Sequence, residues 1–131
     1  MRADTRNWVA ASEYDLGTAE HLLATGRYLY VVFICHLALE KLLKAIVAEA
    51  TSEMPPRTHD LIYLVRRAKI TPSQAHLDFL GKINAASVPT RYPEDLGKVL
   101  AAYPKGVAAE YLATTKEVFA WLKQDPRLQP S

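Results

Sequence analysis

The segment from about Arg27 to Ala50 limits the fold more than any other part of the chain. It carries Val31, Val32, Phe33, Ile34, Leu37, Leu39, Leu42, Leu43, Ile46 and Val47 with no proline or glycine among them. At about 100° per residue these side chains go round most of a helix. Such a helix cannot present a wide face to water, so it has to be packed by other helices. One bundle of this size cannot cover it entirely, and a symmetric homodimer is the commonest remedy.

The rest of the chain supplies the partners. A first helix is predicted from about Asp4 to Thr25, stopped by Gly26, with Trp8, Ala11, Ala19, Leu22 and Leu23 on one face and Leu16 at its edge. Met54-Pro55-Pro56-Arg57 breaks the second helix. Thr58 can cap a third helix, His59 to Lys69, with Asp60 in its first turn complementing the helix dipole. Thr71-Pro72-Ser73-Gln74 reads as a capping box opening a fourth helix that ends near Ala86. Pro89, Pro93, Gly97 and Pro104 weaken the pattern from Ser87 to Tyr103, leaving at most a short turn near Glu94 to Leu100. Pro104 suits the first position of a last helix ending near Gln124, and the residues after it should fray. The prediction is all-α: an up-down antiparallel four-helix bundle with an additional short helix. At 131 residues it fits one domain, 1–131, with a core from about 4 to 124.

Composition excludes several classes. The single cysteine, Cys35, has no partner for a disulfide framework or a thiolate metal cage, which fits a reducing cytoplasm. No segment reaches the length of a membrane span, and Met1-Arg2-Ala3-Asp4 is not followed by the apolar stretch of a signal peptide. The net charge is +2, with residues 66–131 basic by four charges. That permits weak RNA or nucleotide contact without implying it. Nucleophile elbows, phosphate loops, dinucleotide fingerprints and zinc-protease motifs are all missing, so no cofactor is expected.

Some polar residues conflict with the apolar pattern. His36, Glu40 and Lys44 lie four apart on the second helix and form one stripe. It is either a charge ladder on the only wet face or a buried network in a dimer or ligand groove. A metal held by His36 and Glu40 lacks a third ligand. Asp15 falls into the apolar face of the first helix, where it either takes Lys41 or Arg91 as a cation or stays solvated at the edge. His59 and Asp60 read as helix-start residues more readily than catalytic ones. Arg91 and Tyr92 lie in a proline-bounded stretch read as a loop. There they can either anchor the loop or bind, the arginine forking onto a phosphate or carboxylate and the tyrosine stacking.

The stretches His36-Leu-Ala-Leu-Glu40-Lys41-Leu-Leu-Lys44, Thr58-His59-Asp60-Leu61 and Thr90-Arg91-Tyr92-Pro93 follow Trp8 and Asp15-Leu16 in the chain. In this order and spacing they resemble the HEPN family, the higher eukaryotes and prokaryotes nucleotide-binding domains, from about Trp8 to Leu122. The resemblance implies a five-helix bundle, usually dimeric and often encoded beside a minimal nucleotidyltransferase as a toxin and antitoxin pair. Many members are metal-independent ribonucleases, marked by an arginine followed after four to six residues by a histidine, with the active site where two protomers meet. Here no arginine precedes His21, His36, His59 or His76 at that interval, and Tyr-Pro-Glu-Asp-Leu follows Arg91.

The resemblance therefore points to a binding module partnered with a nucleotidyltransferase, with a nucleotide or RNA as ligand and Tyr92 as an acceptor of transferred nucleotide. The alternative is a divergent ribonuclease using Arg91 and a histidine brought close in space. Either way, the candidate site comprises Asp15, His36, Glu40, Lys41, His59, Arg91 and Tyr92, drawn from the first two helices, the start of the third and the expected loop.

Overall fold

The computed structural model describes residues 1–130, and all regular structure in them is helical. Six α-helices follow in order: α1 (Ala3–Ala24), α2 (Tyr28–Thr51), α3 (Leu61–Ala68), α4 (Gln74–Arg91), α5 (Leu96–Ala102) and α6 (Lys105–Lys123), with a 3-10 turn at Pro126–Leu128. The antiparallel bundle predicted from the apolar periodicity is the fold, with α1, α2, α4 and α6 as its long helices and α3 and α5 as short ones. No helix among the described residues is long and apolar enough to cross a membrane.

The all-round apolar helix is the axis of the molecule. α2 packs against every other helix and the terminal 3-10 turn. Leu39, Leu42, Leu43 and Ile46 are wholly buried. α1 folds back on α2 through Thr25–Arg27, with Gly26 at φ 83°, a left-handed conformation that glycine takes without strain. Thr5, Ser12 and Ala19 are the buried residues of α1. Their seven-residue spacing lines up small side chains where α1 meets α2, so the two backbones approach closely, while Trp8, Leu16, Leu22 and Leu23 pack beside that line half-buried.

The predicted boundaries move where side chains offer better caps or burial. Asp60, not Thr58, caps α3, its Oδ1 accepting from the Ile62 and Tyr63 amides at 3.0 and 3.3 Å. The Thr58 hydroxyl instead accepts from the Asp60 amide at 3.1 Å. Ser73, not Thr71, caps α4 by accepting from the His76 amide at 3.2 Å. Pro104 sits at the N-cap of α6, one position earlier than predicted.

Two corrections are larger. α4 does not end near Ala86 but runs through Pro89 to Arg91. The proline forfeits one helical hydrogen bond, but Ala86, Ser87 and Thr90 are buried, and the Ser87 and Thr90 hydroxyls each donate to a carbonyl of the preceding turn at 2.7 Å. Tertiary burial therefore carries the helix past its breaker. The expected fraying covers residues 125–131, of which Ser131 lies outside the described residues; within it Leu128 is buried, and Arg127 Nη1 donates to the Ala68 carbonyl at 2.8 Å while the rest of its guanidinium pairs with Asp125. Nothing in the local sequence after Gln124 announces those contacts.

Candidate functional site

The polar stripe of α2 is buried, so it is not a charge ladder on a wet face. His36 is 0%, Glu40 3% and Lys44 7% exposed. A buried carboxylate needs partners, and both oxygens of Glu40 have one. Lys44 Nζ donates to Oε2 at 3.0 Å and also lies over the Trp8 ring, 5.6 Å from its centroid. His59 Nδ1 lies 2.7 Å from Oε1. A carboxylate only accepts, so Nδ1 carries the proton of that bond.

A second string runs from His36 to the start of α3, and its hydrogen positions follow from one backbone group. The Leu61 amide donates to Asn84 at 3.0 Å, which fixes the contacted side-chain atom as Oδ1. Asn84 Nδ2 then donates to Asp60 Oδ1 at 2.8 Å, so one aspartate oxygen both caps α3 and ties it to α4. His36 Nε2, 3.1 Å from the same Asn84 Oδ1, must be the donor, which leaves Nδ1 buried with no partner. Burial pushes the His36 pKa down, and the nearby Arg91 charge adds to that effect against the opposing pull of Asn84 and Glu40.

Arg91, the last residue of α4, stacks its guanidinium over Phe33 at 4.9 Å, and its Nε is buried without an acceptor. Tyr92 caps the helix end and is 75% exposed. His59, Ser87, Val88, Arg91 and Tyr92 line a cleft of about 220 Å³. Arg91 and Tyr92 are thus presented at a helix end and not in the loop expected for them, because α4 continues through Pro89.

The seven residues singled out from the sequence fall into two groups. His36, Glu40, His59, Arg91 and Tyr92 belong to the cleft and the network beneath it. Asp15 and Lys41 form a separate ion pair at 2.8 Å across the α1–α2 seam. Asp15 thus takes Lys41 and not Arg91 as its cation. Asn84 was missed, although it links His36, Leu61 and Asp60. Its signal was present: asparagine competes with the helical backbone for hydrogen bonds and is a poor interior residue, yet Asn84 sits between Ile83 and Ala85 in mid-helix. Among the described residues, no three histidine, cysteine or acidic side chains come together as a metal site.

Comparisons with known proteins bear on the family and the fold. The family model of the HEPN domain matches residues 5–125, and the chain belongs to that family. Two solved structures share the fold. TT1696 from Thermus thermophilus superposes with a TM-score of 0.80 at 20% identity, over 94% of this chain and 98% of that one. ST0689, described as an archaeal HEPN homologue, superposes with a TM-score of 0.74 at 22% identity, over 94% and 97%. No curated protein matches the chain.

Proposed function

We propose that this HEPN protein is a dimeric, cytoplasmic binding module, the partner of a minimal nucleotidyltransferase in a toxin-antitoxin-like pair, and that the cleft at His59, Arg91 and Tyr92 receives a nucleotide. Arg91 carries the reading. It pairs with no carboxylate among the described residues, its Nε has no acceptor, and it faces a cleft beside an exposed tyrosine ring. A guanidinium in that state suits a phosphate, and the ring suits a base. Self-association is supported by α2, where Tyr30 is 50% exposed and Phe33, Ile34 and Leu37 are only partly covered. Light scattering at micromolar concentration should give twice 14.6 kDa, and a monomer alone would refute the dimer.

The nucleotidyltransferase partnership comes from the family resemblance. Incubation with the partner enzyme and ATP should add nucleotide mass to this chain. Labelling that persists unchanged in Tyr92→Phe would rule that residue out as the acceptor.

One observation favours a second reading, a divergent ribonuclease. The family's arginine-to-histidine spacing is missing from the sequence, yet Arg91 shares its cleft with His59, and that histidine is held by Glu40. A histidine oriented by a carboxylate is the arrangement of a general base. Metal-free cleavage of RNA by the purified protein, lost in both Arg91→Ala and His59→Ala, would decide for this reading over the binding module.

A further inference from the structure

Glu40 and His59 make an unequal pair. The carboxylate is 5% exposed by side chain and the imidazole 61%. An exposed ring gains little by bonding to a carboxylate already neutralised by Lys44, because water would satisfy it as well. The bond does, however, restrict the ring. Its backbone is fixed as well: the Thr58 amide donates to the Pro56 carbonyl at 3.0 Å, the Asp60 amide to the Thr58 hydroxyl at 3.1 Å, and Asp60 caps α3 while bonded to Asn84. Main chain and ring are therefore both held at a residue that lines a solvent-open cleft. Such double restraint is what pre-organised sites need and surface histidines lack.

We infer that Glu40 is a positioning residue for His59, fixing the imidazole by Nδ1 so that Nε2 is left as a lone-pair acceptor for a ligand in the cleft. The inference rests on the reading of that cleft as the ligand site, and it narrows the ligand chemistry. Beside Arg91, which takes an anionic group, His59 takes a hydrogen-bond donor such as a hydroxyl. Hydroxyl-bearing phosphate esters meet both requirements. Lys44 and Trp8 serve the same end one step removed: the lysine occupies the second Glu40 oxygen, leaving Oε1 to hold the ring.

The tautomer of His59 tests this directly. In the ¹⁵N-labelled protein at mildly alkaline pH, long-range ¹H–¹⁵N spectra should show Nδ1 as the protonated, pyrrole-type nitrogen and Nε2 as the pyridine-type one. That is the reverse of the tautomer favoured by free histidine side chains in water. Glu40→Leu combined with Lys44→Met replaces the buried pair by apolar side chains of similar size, so the fold should persist. In it the two ¹⁵N signals of His59 should move toward the free-histidine pattern, and a melting curve confirms folding. A wild-type spectrum with Nε2 protonated would overturn the proposal whatever the variant does. Titration with AMP separates the two levels: a fixed Nδ1–H tautomer with no AMP-dependent shifts at His59 or Arg91 upholds the positioning role and refutes the nucleotide reading of the cleft.

Discussion

Carboxylates of this bundle are held in two contrasting settings. Across the α1–α6 seam, Lys116 pairs with Glu20 at 3.2 Å and Lys123 with Glu13, all four side chains being between 36% and 52% exposed. Beneath the cleft, Glu40 pairs with Lys44 and His59, its own side chain only 5% exposed. The surface pairs sit in high dielectric and contribute little, whereas the buried carboxylate is tolerable only while its partners stay in place. Charge placed where it adds little to stability and risks much is expected where a fold serves a site.

The contrast breaks most severely at Glu40. Glu40→Ala strands Lys44 in the core and should cost about 3 to 5 kcal/mol in chemical denaturation. Glu40→Leu with Lys44→Met should cost far less, because the charge leaves with its partner. If the single and double variants lose equally, the pair is a packing unit and the contrast with the surface seam disappears.

His36 sharpens the same contrast through pH. Its folded pKa is depressed by burial, so the unfolded chain binds a proton more readily than the folded one. Stability tied to this group is therefore present above the unfolded value of about 6.5 and is lost as pH falls toward the lower folded value. Thermal melts between pH 7.5 and 5 should show a decline that His36→Gln reduces. A flat profile in the wild type would mean that the ring protonates inside the fold without penalty.

The surface seam should respond least. Lys116→Ala is expected to change stability by less than about 1 kcal/mol, and by still less in high salt. A loss as large as that of Glu40→Ala would show that exposure does not separate the two sets of pairs.

These expectations also mark what the sequence could and could not disclose. The apolar circumference of α2 and the turn residues around α1 and α2 are local signals, and they define the bundle. The stripe His36, Glu40 and Lys44 is visible as a departure from that pattern. Its burial is not, because burial depends on how α3 and α4 close over α2. The end of α4 is not legible for a related reason: Pro89 is a local break signal, while the burial of Ala86, Ser87 and Thr90 that overrides it is tertiary. The same holds for the C-terminal turn, whose anchor is a carbonyl 59 residues away in sequence. The separation of Asp15 and Lys41 from the cleft likewise follows from the α1–α2 register, which a helical wheel drawn for each helix alone does not contain.

The claim that the cleft is a ligand site on a braced framework rests most directly on Arg91, the charged group there that the fold leaves unpaired. Thermal melts of wild type and Arg91→Ala, with and without added nucleotide, test it. Arg91 has no buried carboxylate to strand, and its stacking on Phe33 is worth roughly 0.5 to 1 kcal/mol at a partly exposed site. The substitution should therefore lower the melting temperature only slightly, while removing the rise that nucleotide produces in the wild type by binding the folded state. A large loss of melting temperature in Arg91→Ala, together with no effect of nucleotide on the wild type, would contradict the account and leave the arginine as a brace.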